Sequence, residues 1–273
     1  MSTMMWGAPG FFQPRPPMSM FPPDRKDLRS FYDTASLHET LEEMVDFDYL
    51  NEKGPRLSVG AVNVETGNFA YFDSIRQKIR PEHIMASGAL PPGFPPVEVD
   101  GQHYWDGGLV SNTPLQYVLE KRDNAPLLVF QLDLFPARGK VPGGLDAIQQ
   151  REKDIRYSSR TRLTTDRFCQ LQDLRAAAER LAAKLPKEFA DDPDLTQLRS
   201  VGAKGACTLV HLIYRNQPFE HDGKDYEFSR QTMRDHWRDG AADVGEVLSH
   251  PDWKNRTVGV DPLRVFDLVD RSR

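Results

Sequence analysis

Two apolar runs decide most of what this chain can fold into. Leu57-Ser-Val-Gly-Ala-Val-Asn-Val64 and Leu127-Leu-Val-Phe-Gln-Leu-Asp-Leu134 are short, rich in Val and Leu, and carry almost no charge. Runs of this length and composition read as strands with buried faces. A helical segment, Pro114–Arg122, precedes the second run, and Cys207–Tyr214 offers another strand. Strand and helix in alternation predict an α/β fold.

Local signals fill in the neighbourhood. Thr66-Gly67-Asn68 is a turn, and Phe69–Phe72 is expected to pair back on Leu57–Val64 as a second strand. Pro81–Met85 is expected to be a short helix with Pro81 in its first turn. A proline-rich loop, Gly88 through Pro96, leads into a hairpin of Val97–Asp100 and Gly101–Tyr104. Its Asp100-Gly101 turn suits type I′ geometry. Further upstream, Ser36-Leu37-His38-Glu39 resembles a capping box, and Leu37, Leu41, Met44 and Val45 form a helical stripe.

Both ends are less regular. Between Met1 and Pro23 stand Pro9, Pro14, Pro16, Pro17, Pro22 and Pro23, with Trp6, Phe11, Phe12 and Phe21 among them. Proline removes backbone donors and fixes φ, so neither helix nor central strand is expected there. The aromatics mark a loop that covers something apolar. From Gly139 the character changes. Gln149–Leu185 is long, charged and helical, with Leu171, Leu174, Ala178, Leu181 and Leu185 on one face. Ser229–Leu248 is a further helix, with Met233, Trp237, Ala241, Val244 and Leu248 on one side. The cluster Pro136, Gly139, Pro142, Gly143 and Gly144 sets a boundary near 138–145. Three regions follow: a proline-rich lead-in (1–36), a sheet-bearing region (37–140) and a mainly helical extension (141–273).

Composition removes several function classes. Lys and Arg number 35 against 40 Asp and Glu, a formal net charge of −5 in 273 residues, so no nucleic-acid partner is expected. Mean hydropathy is −0.57, and no stretch approaches the ~18 consecutive apolar residues of a spanning helix. No basic segment leading into an apolar one marks a signal peptide. The chain is therefore expected in the cytoplasm or at a membrane surface. Cys169 and Cys207 cannot form a disulfide framework or a zinc cluster, and read as buried, reduced thiols. His83, His103, His211, His221, His236 and His250 are scattered without ligand spacing, and Asp123, Asp133 and Asp146 are spread apart. Neither a metal nor a cofactor is expected.

The stretch with chemical content is Tyr104-Trp-Asp106-Gly107-Gly108-Leu-Val-Ser-Asn112-Thr-Pro114-Leu. An Asp leaves a hairpin strand, two glycines let the backbone turn tightly, and a helix begins at Pro114, which Asn112 can cap. Taken alone, an Asp-Gly-Gly is a structural turn. Here it follows Ile84-Met-Ala86-Ser87-Gly88-Ala89-Leu90-Pro91-Pro92-Gly93-Phe94-Pro95-Pro96 and the hairpin, in that order.

The ordered series resembles the second half of the patatin-like phospholipase domain, with its A-S-x-A-x-P loop, F-x-P-V segment and Y-x-D-G-G/A motif followed by N-x-P. The resemblance is close over Leu57–Leu134. Further on, Arg156–Arg162, His211–Arg215, Lys224–Arg230 and His236-Trp237 resemble the C-terminal extension, of unknown function, of a bacterial patatin-like subfamily. The resemblance implies a partial three-layer α/β/α sheet domain with a mainly helical extension, and hydrolysis of lipid esters. It also implies a Ser–Asp dyad in which Asp106 is the base, Gly107 and Gly108 shape its turn, and Asn112 and Ser87 are supporting residues. Family members activate the Ser on a G-x-S-x-G elbow and hold the oxyanion with backbone N–H groups of a glycine-rich loop.

No serine in the chain has glycine at both −2 and +2, and the oxyanion loop is missing as well. Ser87 stands in a loop that the family places near the site as a structural element. The expectation is a truncated family member, short of about 100 residues, with Leu57–Val64 and Leu127–Leu134 left with exposed edges or apolar faces. The alternative is a non-catalytic remnant, or one half of a split protein whose partner chain carries the elbow. The basic run Arg151, Lys153, Arg156, Arg160, Arg162 and Arg167 reads as a solvated helix face, with peripheral contact to anionic phospholipid head groups as the functional alternative.

Overall fold

A computed structural model describes residues 2–16, 30–121, 125–158, 161–186, 189, 192–200, 205–214, 228–257 and 263–267. In chain order the elements are α1 (Ser2–Trp6), β1 (Gln13–Pro14), β2 (Tyr32–Asp33), α2 (Ala35–Met44), α3 (Phe47–Glu52), β3 (Ser58–Asn63), β4 (Phe69–Asp73), α4 (Pro81–Ser87), β5 (Val97–Val99) and β6 (Gln102–Asp106). There follow α5 (Leu115–Lys121), β7 (Leu127–Asp133), α6 (Leu145–Tyr157), α7 (Thr161–Ala182), α8 (Pro193–Ser200), β8 (Cys207–Ile213), α9 (Arg230–Ser249), α10 (Pro251–Lys254) and β9 (Arg264–Phe266). The fold is α/β. Its contacts form two units, Met1–Asn112 with Val141–Tyr157 and Gln217–Trp237, and Thr113–Lys140 with Ser158–Asn216 and Arg238–Arg273. Each draws on residues from both sides of position 140.

The first unit is built on an antiparallel sheet in the order β4-β3-β6-β5. Thr66-Gly67-Asn68 returns β4 onto β3, with Ala61 opposite Ala70, and Gly67 at φ 69°. The β5–β6 hairpin turns through Asp100 at φ 50° and Gly101 at φ 79°, the left-handed pair that a type I′ turn requires. Helix α4 lies on one face of the sheet. Ala61, Phe72, Ile79, Ala86, Val99 and Tyr104 form the core, with Phe47 and Leu50 of α3 packed beside it. Asp73 closes the far end of β4, wholly buried, with both carboxylate oxygens 3.1 Å from Nε of Arg56.

The lead-in does cover something apolar. Phe12 is buried with Tyr32 and Phe94, and Phe11, Ala8 and Leu90 pack around them. Two expectations fail nearby. Residues 2–6 form a helical turn, which ends before the first proline. The capping box at Ser36 is not formed: α2 starts two residues earlier, behind Thr34, without a side-chain cap, and Ser36 lies inside it. None of its stripe is buried, and Met44 is exposed.

The second unit holds a parallel sheet in the order β7-β8-β9, with Leu127 opposite Cys207 and Thr208 opposite Arg264. The C-terminal region thus adds strands as well as helices. One face packs Leu115 and Leu119 of α5 and Phe168 of α7 against Cys207 and Leu209. Val210, Leu212 and Phe266 pack with Val247 and Trp253 on the other. Cys207 is buried, Cys169 is half-buried, and both are free thiols.

The segment read as one helix, Gln149–Leu185, is two, α6 and α7. Its leucine stripe is also turned the other way. Leu171, Leu174, Leu181 and Leu185 are exposed, whereas Thr165, Phe168 and Gln172 face inward. In α9, Met233 and Trp237 are exposed and Val247 is the buried residue. Helical periodicity finds an apolar side, but the neighbouring layer decides which side is covered.

The two defining runs fare differently. Strand β3 is paired on both sides and is no edge, because its partners β4 and β6 are close in sequence. Strand β7 ends its sheet among the described residues, and Leu128, Phe130 and Leu132 are exposed along it. Among the earlier readings, Pro17, Phe21, Pro22, Pro23, Asp123, Arg160, Arg215, His221 and the cluster 224–227 lie outside the described residues, as do the side chains of Asp146 and Arg162. No helix of the described residues is long and apolar enough to cross a membrane.

Candidate active site

Asp106 is the last residue of β6, opposite Ala61 of β3. Its backbone N–H donates to the Ala89 carbonyl at 3.0 Å, which ties the end of the strand to the loop after α4. Its side chain turns back on the chain, and Oδ1 accepts the Gly108 N–H at 2.6 Å. Residues Gly107–Leu109 then form one turn of 3-10 helix, with the Val110 and Ser111 N–H groups donating to the Gly107 carbonyl at 3.0 and 2.9 Å. The Asp is thus an N-cap, and the cap bond holds its carboxylate in one rotamer.

Each glycine of the turn has a separate reason to be there. Gly107 is buried, and a Cβ on it would meet the Gly60 carbonyl oxygen at 2.5 Å and the Phe69 ring at 3.2 Å. A Cβ on Gly108 would stand 3.0 Å from Asp106 Oδ1 and 3.1 Å from Asn112 Oδ1. The same contact places Asn112 beside the Asp106 turn. Among the described residues the Asn112 side chain makes no hydrogen bond, so the helix cap expected of it is not formed, and α5 begins at Leu115.

The structure brings together the pieces that are separate in the sequence. Gly88 closes α4, and Ala89 follows as acceptor for Asp106. The loop then runs through a cis Pro91–Pro92 bond, and Pro92 and Gly93 accept the N–H groups of Phe31 and Tyr32. Ser87, at the end of α4, is half-buried, and its side chain makes no hydrogen bond among the described residues. It is not paired with Asp106. Leu109 and Val110, just beyond the glycines, are exposed.

Two residues of this site were missed in the sequence. Gly60 and Phe69 form the wall against which Gly107 packs. A glycine inside a strand is a known mark of close backbone approach, and Gly60 sits in the middle of β3.

A separate surface cavity of about 450 Å³ lies in the same unit, lined by Phe47, Asn51, Ile79, Arg80, His83 and Asp100 among others. Asp106 does not line it. His83 is buried, and burial together with the nearby Arg80 charge lowers its pKa. Its Nδ1 accepts the Arg80 N–H at 2.9 Å, and its Nε2 lies 3.2 Å from Nε2 of Gln77. Arg80 donates to Asp100 at 2.9 Å, which holds that carboxyl below its ordinary range. No group of three or more His, Cys, Asp or Glu is placed to hold a metal among the described residues.

Comparison with known families agrees with this arrangement. A model described as Patatin-like phospholipase matches residues 18–119, a span containing the 86–96 loop, Asp106, both glycines and Asn112. A second, described as Patatin phospholipase, matches residues 155–259. Among curated proteins none matches the chain. Two matches from one family, on either side of residue 140 and including the whole Asp106 turn, lead to one conclusion: the chain belongs to the patatin-like phospholipase family.

Proposed function

We propose that this chain serves lipid acyl-ester hydrolysis by supplying the carboxylate of a Ser–Asp dyad. Asp106 is the base, and it takes the proton of a nucleophilic Ser whose oxygen attacks the ester carbonyl. The observation that carries this reading is the double tether of Asp106. Its N–H is held by Ala89 and its Oδ1 by the Gly108 N–H. A base of this kind must be fixed before substrate arrives. One oxygen holds the turn, and the other is the one assigned to the nucleophile. Gly107 and Gly108 shape the turn, and Asn112 supports it from the Gly108 side.

The nucleophile is assigned to residues outside these 273, because no serine here has glycine at both −2 and +2. It comes either from a longer form of the chain or from a separate chain carrying G-x-S-x-G. A fluorophosphonate serine probe tests this. The 273-residue chain alone should not be labelled. Co-expressed with the elbow-bearing segment, that segment should be labelled, and Asp106→Asn should abolish labelling. Labelling of the chain alone, lost in Asp106→Asn, would assign the nucleophile to a serine within it. Unchanged labelling of the assembled protein in Asp106→Asn would overturn the role of Asp106.

The second reading is a non-catalytic member that acts by binding other proteins. It is favoured by Ser87, at the end of α4, whose side chain has no hydrogen bond to Asp106. A stable chain with no labelling in any combination would support it.

A further inference from the structure

Helix α7 turns a polar side inward. Thr165, Phe168, Gln172 and Arg175 recur at i, i+3, i+7 and i+10, which is one side of a helix. Phe168 on that side packs with Cys207 and Leu209 of β8. Thr165 and Gln172 are only 5% and 3% exposed, and Arg175 is half-buried. Among the described residues both amide atoms of Gln172, Oε1 and Nε2, are buried without a hydrogen-bond partner. The same holds for Nε and Nη1 of Arg175 and for Oγ1 of Thr165.

Buried polar atoms are nearly always bonded, and a guanidinium taken out of water needs a counter-charge. Glu179, four positions on, is the ordinary helical partner for Arg175, and it makes its own contacts elsewhere. Gln172 and Arg175 stand one turn apart, so their side chains reach a common point. Thr165 lies about 10 Å before Gln172 along the axis, at ~1.5 Å per residue, too far to share it. The donor set of the pair defines what fits. Arg175 offers positive charge and N–H donors only, whereas Gln172 offers N–H donors and one acceptor oxygen. Their complement is an oxyanion that also carries an O–H. Its oxygens accept from Arg175 and from Nε2 of Gln172, and its O–H donates to Oε1. Phosphate and its monoesters keep such a proton on part of the population near neutral pH. Sulfate and phosphate diesters keep none.

We propose that Gln172 and Arg175 form a binding site for a phosphate group that carries one proton, free or as a monoester. The half-buried Arg175 side chain runs from the interior to the surface and gives the anion its way in. The phosphorus group of a phospholipid is a diester and does not meet the requirement of Gln172, so the ligand is distinct from a lipid substrate. Both residues belong to the second unit, whereas Asp106 belongs to the first. The proposal does not depend on the dyad, and holds whether or not the chain hydrolyses esters.

The test is isothermal titration and thermal unfolding of the full 273-residue chain with inorganic phosphate, sulfate and dimethyl phosphate, at neutral pH and constant ionic strength. Phosphate is expected to bind and, in large excess, to raise the unfolding midpoint by several degrees. Sulfate and dimethyl phosphate should bind about tenfold more weakly, since each leaves Oε1 of Gln172 without a donor. Arg175→Gln should weaken phosphate binding about tenfold through the lost charge-assisted bonds. Gln172→Leu should raise the midpoint without phosphate, because two unbonded buried atoms are removed, and should erase the preference for phosphate over sulfate. Thr165→Val and Asp106→Asn should bind phosphate as the unaltered chain does, which separates this site from the rest of α7 and from the dyad. If Arg175→Gln does not fold, Arg175→Lys replaces it, keeping the charge and losing the planar fork. The proposal is overturned if phosphate gives neither binding heat nor a shift of the midpoint. It is equally overturned if sulfate and dimethyl phosphate match phosphate on the unaltered chain, or if the Gln172 and Arg175 variants bind as that chain does.

Discussion

Gly107 stands so close to Gly60 that a Cβ on it would meet the Gly60 carbonyl oxygen at 2.5 Å. Both partners in that contact are backbone, so neither can swing away. The Asp106 turn is therefore pressed onto β3, and the close approach leaves no room for a side chain. Gly107→Ala is expected to destabilise the protein by roughly 1–3 kcal/mol, as overpacking does. Urea denaturation would show it. Gly101→Ala is the comparison: it meets open space and is strained only by its φ of 79°. Equal losses in the two variants would mean that the Gly60 contact does not matter.

Arg56 and Asp73 form the second constraint on this sheet. The Asp73 side chain is wholly buried and that of Arg56 is partly exposed. Removing the guanidinium leaves a buried carboxylate without its partner, so Arg56→Ala is expected to destabilise by about 3 kcal/mol, the low end of what broken buried pairs lose. Asp73→Asn should cost less, because no charge is left buried. Thermal unfolding of the two variants decides, and the reverse order would count against the argument.

His83 makes stability depend on pH. Burial, then the Arg80 charge, hold its pKa below the ordinary 6.5. The unfolded chain therefore binds this proton more readily than the folded one. Its contribution to stability is whole above about pH 6.5 and is lost as pH falls toward the lower folded value. Protonation would also place a hydrogen on Nδ1, where the Arg80 N–H now donates. Denaturant midpoints should fall across this window, and His83→Asn should flatten that part of the curve. A variant with the same slope as the unaltered chain would rule His83 out.

The parallel sheet offers a contrast between two leucines. Leu209 of β8 has no exposed surface, whereas Leu132 of β7 is 59% exposed. Leu209→Ala is expected to lose about 2–5 kcal/mol through lost contacts and a cavity. Leu132→Thr should change stability by less than about 0.5 kcal/mol, and should raise solubility by breaking up an apolar edge. Unfolding and turbidity measured side by side test both. A large loss of stability from Leu132→Thr would mean that β7 is covered in solution.

Much of the site was legible in the sequence because turns are local. Asp100-Gly101 and Gly67 announce their hairpins, and Pro81 opens its helix, since each depends on a few adjacent dihedrals. The order of Ala86–Pro96, Asp106-Gly107-Gly108 and Asn112 was visible for the same reason. What could not be read was which of these fragments touch. The Asp106 N–H finds the Ala89 carbonyl 17 positions earlier in the chain, and Gly107 finds Gly60 farther still. Asn112 stands beside Gly108 and not as a helix cap.

The helices divide along the same line. Periodicity in the sequence located α9 and the helical stretch that divides into α6 and α7, and marked an apolar side on the long helices. It could not say that Leu174 and Trp237 face outward while Gln172 and Val247 are buried. The α/β class, the strands β3 to β8, the hairpins and the family motif are legible in the sequence, because these follow from dihedral preference and side-chain period over a few residues; β1, β2 and β9 are not. How the strands divide among three sheets, which helix faces are covered, and how Asp106 is held come from the tertiary structure alone. Burial and close approach are relations between residues far apart in the chain, and no local pattern encodes the partner.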